Sequence, residues 1–428
     1  MLYFSRFQLT RLVRAALLLS AVFAAATQAQ AQPLTPPSTS AGAALAPGSG
    51  PTLREALDAA WAMSPAARSA DSRRAELQAL DRAASSWVAG APSATLAQRT
   101  DRFNANGGFR EVEAELELPL WSPGVRGATQ RGLAAQRQSF EPQLLLARLK
   151  LAAEVRELAA GLAIARTERD LAARKHSEAL ALALDVERRV KAGDTARVDS
   201  LQAQSQVAQA ASGREQTEVG LTRLQNQWLA LTGLAAVPPL KESLPANRDL
   251  GNPDHPVILA AQAQVLAAQA KFALTETDQR DPMALGLGIT RERAAFGATG
   301  ETSLRLALKI PFGGDKRNAP RIAAARAELD AAQAGADAAV RQTRTGLASA
   351  GAELDVARRT EATLTERARL SQEVQSLVAK AFRLGESDLP TRLRAENEKF
   401  EADLSLARAR VGTQRAISQL NQALGLLP

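Results

Sequence analysis

Four glutamates at every second position, Glu111, Glu113, Glu115 and Glu117, are the densest gathering of chemically capable side chains in this 428-residue sequence. Val112, Ala114, Leu116 and Leu118 fill the places between them. Side chains alternate faces along a strand, so REVEAELELPLW at 110–121 puts the acids on one face and the aliphatics on the other. Such a row is either the wetted face of a soluble sheet or the inner wall of a barrel whose aliphatic side meets lipid. The pattern returns in TSLRLALKIPFG at 302–313. There Ser303, Arg305, Ala307 and Lys309 alternate with Leu304, Leu306, Leu308 and Ile310. Glu113 and Arg305 stand 192 positions apart, as do Glu117 and Lys309, so equivalent faces carry opposite charge. The consistently aliphatic opposite face favours the barrel wall. Glu111, Glu113, Glu115, Glu117, Arg305 and Lys309 are then its lining.

Little else in the sequence gathers chemistry. His176 and His255 fall in different elements, methionine occurs three times and cysteine is absent. Zinc and copper sites need several nitrogen or sulfur ligands converging, so no metal site is expected. No Ser/His/Asp set or glycine-rich phosphate loop has supporting context, so neither an enzyme nor a cofactor is expected. The formal charge is +8. Its basic residues are scattered, without interleaved aromatics, which argues against a nucleic-acid partner.

The elements that carry these strands can be read in order. Residues 1–31 read as a secretory signal: Arg6, Arg11 and Arg14 with no acid, an apolar run Ala15–Ala26, and Ala29-Gln30-Ala31 for cleavage. Residues 32–50 are a Pro/Ser/Ala/Gly tether. A helix is expected after Thr52, with Glu55 completing a capping box and a break near Ser64-Pro65. Strands follow at about 91–103 and 110–121, turned by Asn106-Gly107-Gly108. A long helix at about 124–191 stops at Gly193, and a return helix ends near Thr232, closing a first repeat at 51–233. A proline-punctuated linker spans 234–255. The order then recurs over 256–428, with a helix, strands at about 282–291 and 302–313, a long helix at about 319–383 and a return helix. Pro119/Pro311, Gly193/Gly385 and Gly233/Gly425 are all spaced by 192, the mark of an internal duplication.

No segment after the leader offers 18 consecutive apolar residues, so membrane entry is expected by strands alone. Four strands of bilayer length cannot close a barrel, since the smallest membrane barrels have about eight, and open edges are not tolerated in lipid. A helix of some 65 residues, roughly 100 Å long, cannot bury its apolar stripe without other long helices beside it.

With this order, the junctions LPLWSPG and KIPFGGDKR and the turns VKAGDTARVDSLQAQ and AFRLGESDLPTRLRAE, the chain resembles the outer-membrane efflux (TolC-like) family. The second turn is similar to its heavy-metal branch. The resemblance implies a mainly α fold with a small membrane β part. Long helical hairpins would form a periplasmic duct, and four strands per chain would complete a trimeric 12-stranded outer-membrane β-barrel. It also implies a passive exit duct for small substrates, metal cations among the candidates, working with a periplasmic adaptor and an inner-membrane pump. Relatives place an acid six residues beyond the turn glycine at a periplasmic gate. That position is Asp199 here, but Thr391 in the second repeat, where Glu386 or Asp388 would substitute. Lys191 and Arg383 are candidate partners for Asp199. The adaptor-docking tip would be Val190, Lys191, Ala192 and Gly193 with Arg383, Leu384 and Gly385. Relatives often carry a lipidated cysteine, which this sequence lacks, and of its tryptophans only Trp121 falls where an aromatic girdle is expected. The alternative is a periplasmic coiled-coil adaptor or scaffold without a barrel.

Overall fold

The computed structural model describes residues 51–245, 254–313 and 315–428. The expected signal peptide and tether, and part of the linker, lie outside those residues. Helix α1 (Leu53–Met63) opens on the capping box, with Thr52 Oγ1 accepting from the Glu55 amide at 3.2 Å and a Glu55 carboxylate oxygen accepting from the Thr52 amide at 2.7 Å. Ser64 ends α1 and caps α2 (Pro65–Ser85), where Pro65 takes the first helical position. That position suits proline because its missing N–H has no partner there in any helix.

Strands β1 (Ser93–Thr100) and β2 (Arg110–Leu120) form the first hairpin. Helix α3 (Val125–Ala192) follows without interruption for 68 residues, passing through Pro142, and spans roughly 100 Å. Its C-cap Gly193 has φ +84°, and the Asp194 amide donates back to the Arg189 carbonyl at 2.9 Å. This is a Schellman closure, and only a residue without Cβ enters it freely. Helix α4 (Arg197–Thr232) runs back.

The second repeat comprises α5 (Pro256–Thr277), β3 (Met283–Arg293), β4 (Glu301–Lys309), α6 (Asp315–Arg383) and α7 (Leu389–Ala423). The expected start of α6 near 319 is four residues late. Asn318 donates to the Gln279 carbonyl and ties the opening turns of α6 to the end of α5, so the helix runs through Pro320 instead of starting at it.

Each long helix packs along its return helix, α3 on α4 and α6 on α7, while α5 lies between α3 and α6. Buried Val155, Leu162 and Trp228 in the first repeat recur 192 residues on as Leu347, Leu354 and Leu420. The duplication therefore reaches the core. Helix α5 corrects the exclusion of helical spans. Its 22 residues are, by length and composition, long and apolar enough to cross a bilayer. Interspersed glutamines broke the apolar run without making the helix polar. Its place between α3 and α6 puts it in the helical layer.

The four strands make one antiparallel sheet in the order β1-β2-β3-β4. β2 and β3 pair along 11 residues, from Arg110 with Arg293 to Leu120 with Met283, so the sheet joins the two repeats. β1 and β4 are its edges.

Candidate functional site: a two-faced sheet and paired helix-hairpin tips

Strand register places every side chain of the sheet on a face. One carries Glu111, Glu113, Glu115 and Glu117 beside Thr95, Ala97 and Arg99 of β1, then Gly286, Gly288 and Thr290 of β3, then Arg305, Ala307 and Lys309 of β4. The other carries Leu96, Val112, Leu116, Leu118, Leu285, Leu287, Ile289, Leu304, Leu306 and Leu308. The burial is inverted relative to a soluble sheet. Glu111 and Glu113 keep only 25% and 27% of their side-chain exposure, whereas Leu96, Leu304 and Leu306 are 80%, 85% and 72% exposed.

Arg305 and Glu113, equivalent positions of the two repeats, meet directly at 3.1 Å. Arg305 reaches across β3 because Gly288, in the same row, has no side chain. A Cβ on Gly286 would lie 3.0 Å from a Glu115 carboxylate oxygen. These two glycines form the floor of the charged face. In the sequence alone they read only as residues that weaken a strand. Arg99 approaches Glu111 at 4.0 Å.

At the hairpin end of the sheet the two connecting loops bond to each other, the Phe296 amide donating to the Gly107 carbonyl at 3.0 Å. Gly108 has φ +94°, and a Cβ there would lie 2.4 Å from the Phe296 nitrogen, so no other residue fits. At the helix end, Trp121 Nε1 donates to the Ser86 carbonyl at 2.9 Å. Trp87 (67% exposed) and Phe312 (90%) join Trp121 there. The aromatic set is larger than the sequence suggested, because the helix ends at Ser85 and leaves Trp87 in the connection to β1.

The far ends of the hairpins are held to each other. Leu182, Val186, Ala203, Phe382 and Leu389 form one buried cluster, with Val190 packed against it. The Phe382 ring lies between the guanidinium groups of Arg189 and Arg392, at 4.8 Å and 4.9 Å from its centroid. Arg189 is also bonded to Asp185 and Arg392 to Glu396. Lys191, Ala192, Gly193, Arg383, Leu384 and Gly385 are exposed around this cluster.

Asp199 and Thr391 occupy the same third position of α4 and α7. The acid has moved in the second repeat: Asp388 is the N-cap of α7 and accepts from the Thr391 amide at 3.0 Å, where α4 has the uncapped Ala196. Those bonds from Thr391 hold the Asp388 carboxyl below the usual carboxylate range. The two candidate partners of Asp199 are not brought to it within one chain. Lys191 pairs with Glu187 at 2.8 Å, and Arg383 turns back to the Ala379 carbonyl. Glu386 closes the second tip through its backbone, its amide donating to the Ala381 carbonyl.

A buried ion pair lies between these ends and was not legible in the sequence. Arg156 (side chain 4% exposed) holds Glu242 with two bonds of 3.0 and 2.7 Å, and also donates to the Gln422 side chain and the Leu426 carbonyl. It fixes the inter-repeat linker to the middle of α3 and to the end of the second repeat. His255 is buried and caps α5, its Nδ1 accepting from the Val257 amide at 3.2 Å. Burial lowers its pKa, against an opposing pull from the Ala423 carbonyl. Among the described residues, no group of three or more His, Cys, Asp or Glu could hold a metal ion.

A sequence model described as "Outer membrane efflux protein" matches residues 253–426. No curated protein matches. Among solved structures, the outer membrane protein VceC from Vibrio cholerae has a TM-score of 0.69 at 15% identity, covering 87% of this chain and 96% of its own. A membrane protein from Pseudomonas aeruginosa gives 0.70 at 20% identity, covering 89% and 98%. CusC gives 0.70 at 17% identity, covering 88% and 92%. Residues 253–426 thus match the outer membrane efflux protein domain, and the fold of the chain is that of these outer membrane proteins.

Proposed function

We propose that this protein is the outer-membrane exit duct of a tripartite efflux system, passive in itself. The observation that carries the reading is the inverted sheet. Its charged face is crowded, its aliphatic face is open, and among the described residues the outer sides of its edge strands β1 and β4 have no strand paired to them. Open edges are not tolerated in lipid, so other copies must complete the sheet. Three chains give twelve strands, with Glu111, Glu113, Glu115, Glu117, Arg305 and Lys309 toward the lumen and the leucines toward lipid. The helices extend into the periplasm as a duct. Asp199, Glu386 and Asp388 stand at its narrow end, and the residues around Gly193 and Gly385 meet a periplasmic adaptor coupled to an inner-membrane pump.

The likeness to CusC and the AFRLGESDL turn support the heavy-metal branch, with metal cations as cargo that passes without a resident site. A periplasmic scaffold is disfavoured by the exposed leucines, which water would penalise at about 25 cal/mol per Å². Fractionation tests the choice. The duct stays with outer membranes through a high-salt wash, and release into the wash would reject it.

A further inference from the structure

The outward face of the sheet changes character at its hairpin end. Above Val112, Ile289 and Leu304 the same face carries Arg110, Arg291 and Arg293. Arg110 and Arg293 are direct cross-strand partners, and Arg291 stands beside Val112 and Thr302, one row nearer the aliphatic band. Like charges directly opposite each other on a sheet are unfavourable unless an anion joins them. None of the three is in a salt bridge among the described residues. Arg293 has only the Gly108 carbonyl at 3.3 Å and the Phe296 ring, 5.9 Å from its centroid. The strand acids of this end, Glu111, Glu292 and Glu301, lie on the opposite face by register, and Asp101 sits in the β1–β2 loop with its carboxylate beside Gly107. At the helix end, the outward positions of the strands and their extensions are Leu120, Met283 and Ile310, with no cation. The cluster is confined to one rim.

We propose that Arg110, Arg291 and Arg293 bind the phosphate groups of an anionic glycolipid in the outer leaflet. The proposal rests on the exit-duct reading, which points the hairpin end outward. Planar guanidinium groups match phosphate oxygens in bidentate fashion. The leucines directly below supply the apolar surface that acyl chains of the same molecule would cover, which selects a lipid over free phosphate. Threefold assembly would repeat the site around the barrel.

The test uses the full chain, purified in detergent, stripped of lipid and analysed by native mass spectrometry. The probes are bisphosphorylated lipid A, its phosphate-free counterpart and inorganic phosphate. Wild type should bind the bisphosphorylated lipid and discriminate against the other two. Replacing all three arginines by Gln should weaken binding about 100-fold, taking each basic residue near an anionic surface as worth roughly a fivefold factor. The triple Lys variant should stay within about tenfold of wild type, and Arg305→Gln, on the inward face, should bind normally. Equal binding of the phosphate-free lipid, undiminished binding by the Gln variant, or inorganic phosphate bound as tightly as lipid would each overturn the proposal. If the Gln variant fails to assemble, the wild-type comparison of the two lipids and the Lys variant still decide. A wild-type chain that is not a membrane trimer would sink the exit-duct reading itself. A trimer indifferent to phosphate would sink only this site.

Discussion

Leu306→Arg separates a lipid-facing wall from a soluble sheet. Leu306 sits in the middle of the aliphatic band, level with Leu287 and Leu116 and flanked on its strand by Leu304 and Leu308, and it is 72% exposed. On a soluble sheet an exposed arginine there would be neutral or would raise solubility. Facing lipid near mid-bilayer it costs about 2–4 kcal/mol. That is about a 30- to 700-fold loss in the insertion equilibrium for each chain, and the three copies of a trimer compound it. Glu115→Gln is the control. It removes an inward charge beside Gly286, adds nothing to the lipid face, and should leave yield within about twofold. The assay is the quantity of trimer in salt-washed outer membranes at matched expression. Equal yields for both variants would refute the assignment of faces.

Three further outcomes follow from other parts of the chain. Arg156→Met should destabilise by about 3–5 kcal/mol, because it strands buried Glu242, whereas the double change with Glu242→Leu should recover most of the loss in thermal unfolding. His255 is held neutral by burial, so its unfolded form binds more protons below the ordinary histidine pKa of about 6.5; stability should be full above that pH and fall as pH drops below it. His255→Asn keeps a cap acceptor without titrating, so an unchanged pH slope in that variant would rule His255 out as the source. At the tip, Asp199→Ala should raise trimer conductance in planar bilayers by loosening contacts between copies, each worth about 0–1 kcal/mol and repeated threefold; unchanged conductance would place the constriction elsewhere.

What the sequence disclosed follows the range of the interactions involved. The capping box at Thr52, the break at Ser64-Pro65, the glycine stops and the two faces of β2 are local patterns, and their elements formed where expected. The pairing of β2 with β3 joins residues 163 to 183 positions apart, and nothing local specifies it. Gly286 and Gly288 read as weak points in a strand until the register shows Arg305 passing over one of them. Arg156 reaches a linker whose prolines announced only irregular structure. Phe382 lies between Arg189 of one repeat and Arg392 of the other, a contact that exists only once the two hairpins stand side by side. Trp87 joins the aromatic set only because it follows the end of α2, close to Trp121. In each case the signal lay in a distant partner.

In the exit duct, β1 and β4 of each chain are joined to other copies in a closed barrel. Two strands separate them within a chain, about 14 Å at the usual spacing, which is too far for a disulfide. The sequence has no cysteine to interfere. Cysteine pairs scanned along the inward positions Ser93–Ala97 of β1 and Ser303–Ala307 of β4 therefore report only contacts between chains. Oxidation in intact outer membranes should give a ladder of one, two and three chains that stops at three. No crosslink at any register, or a ladder that runs past three, would contradict the account.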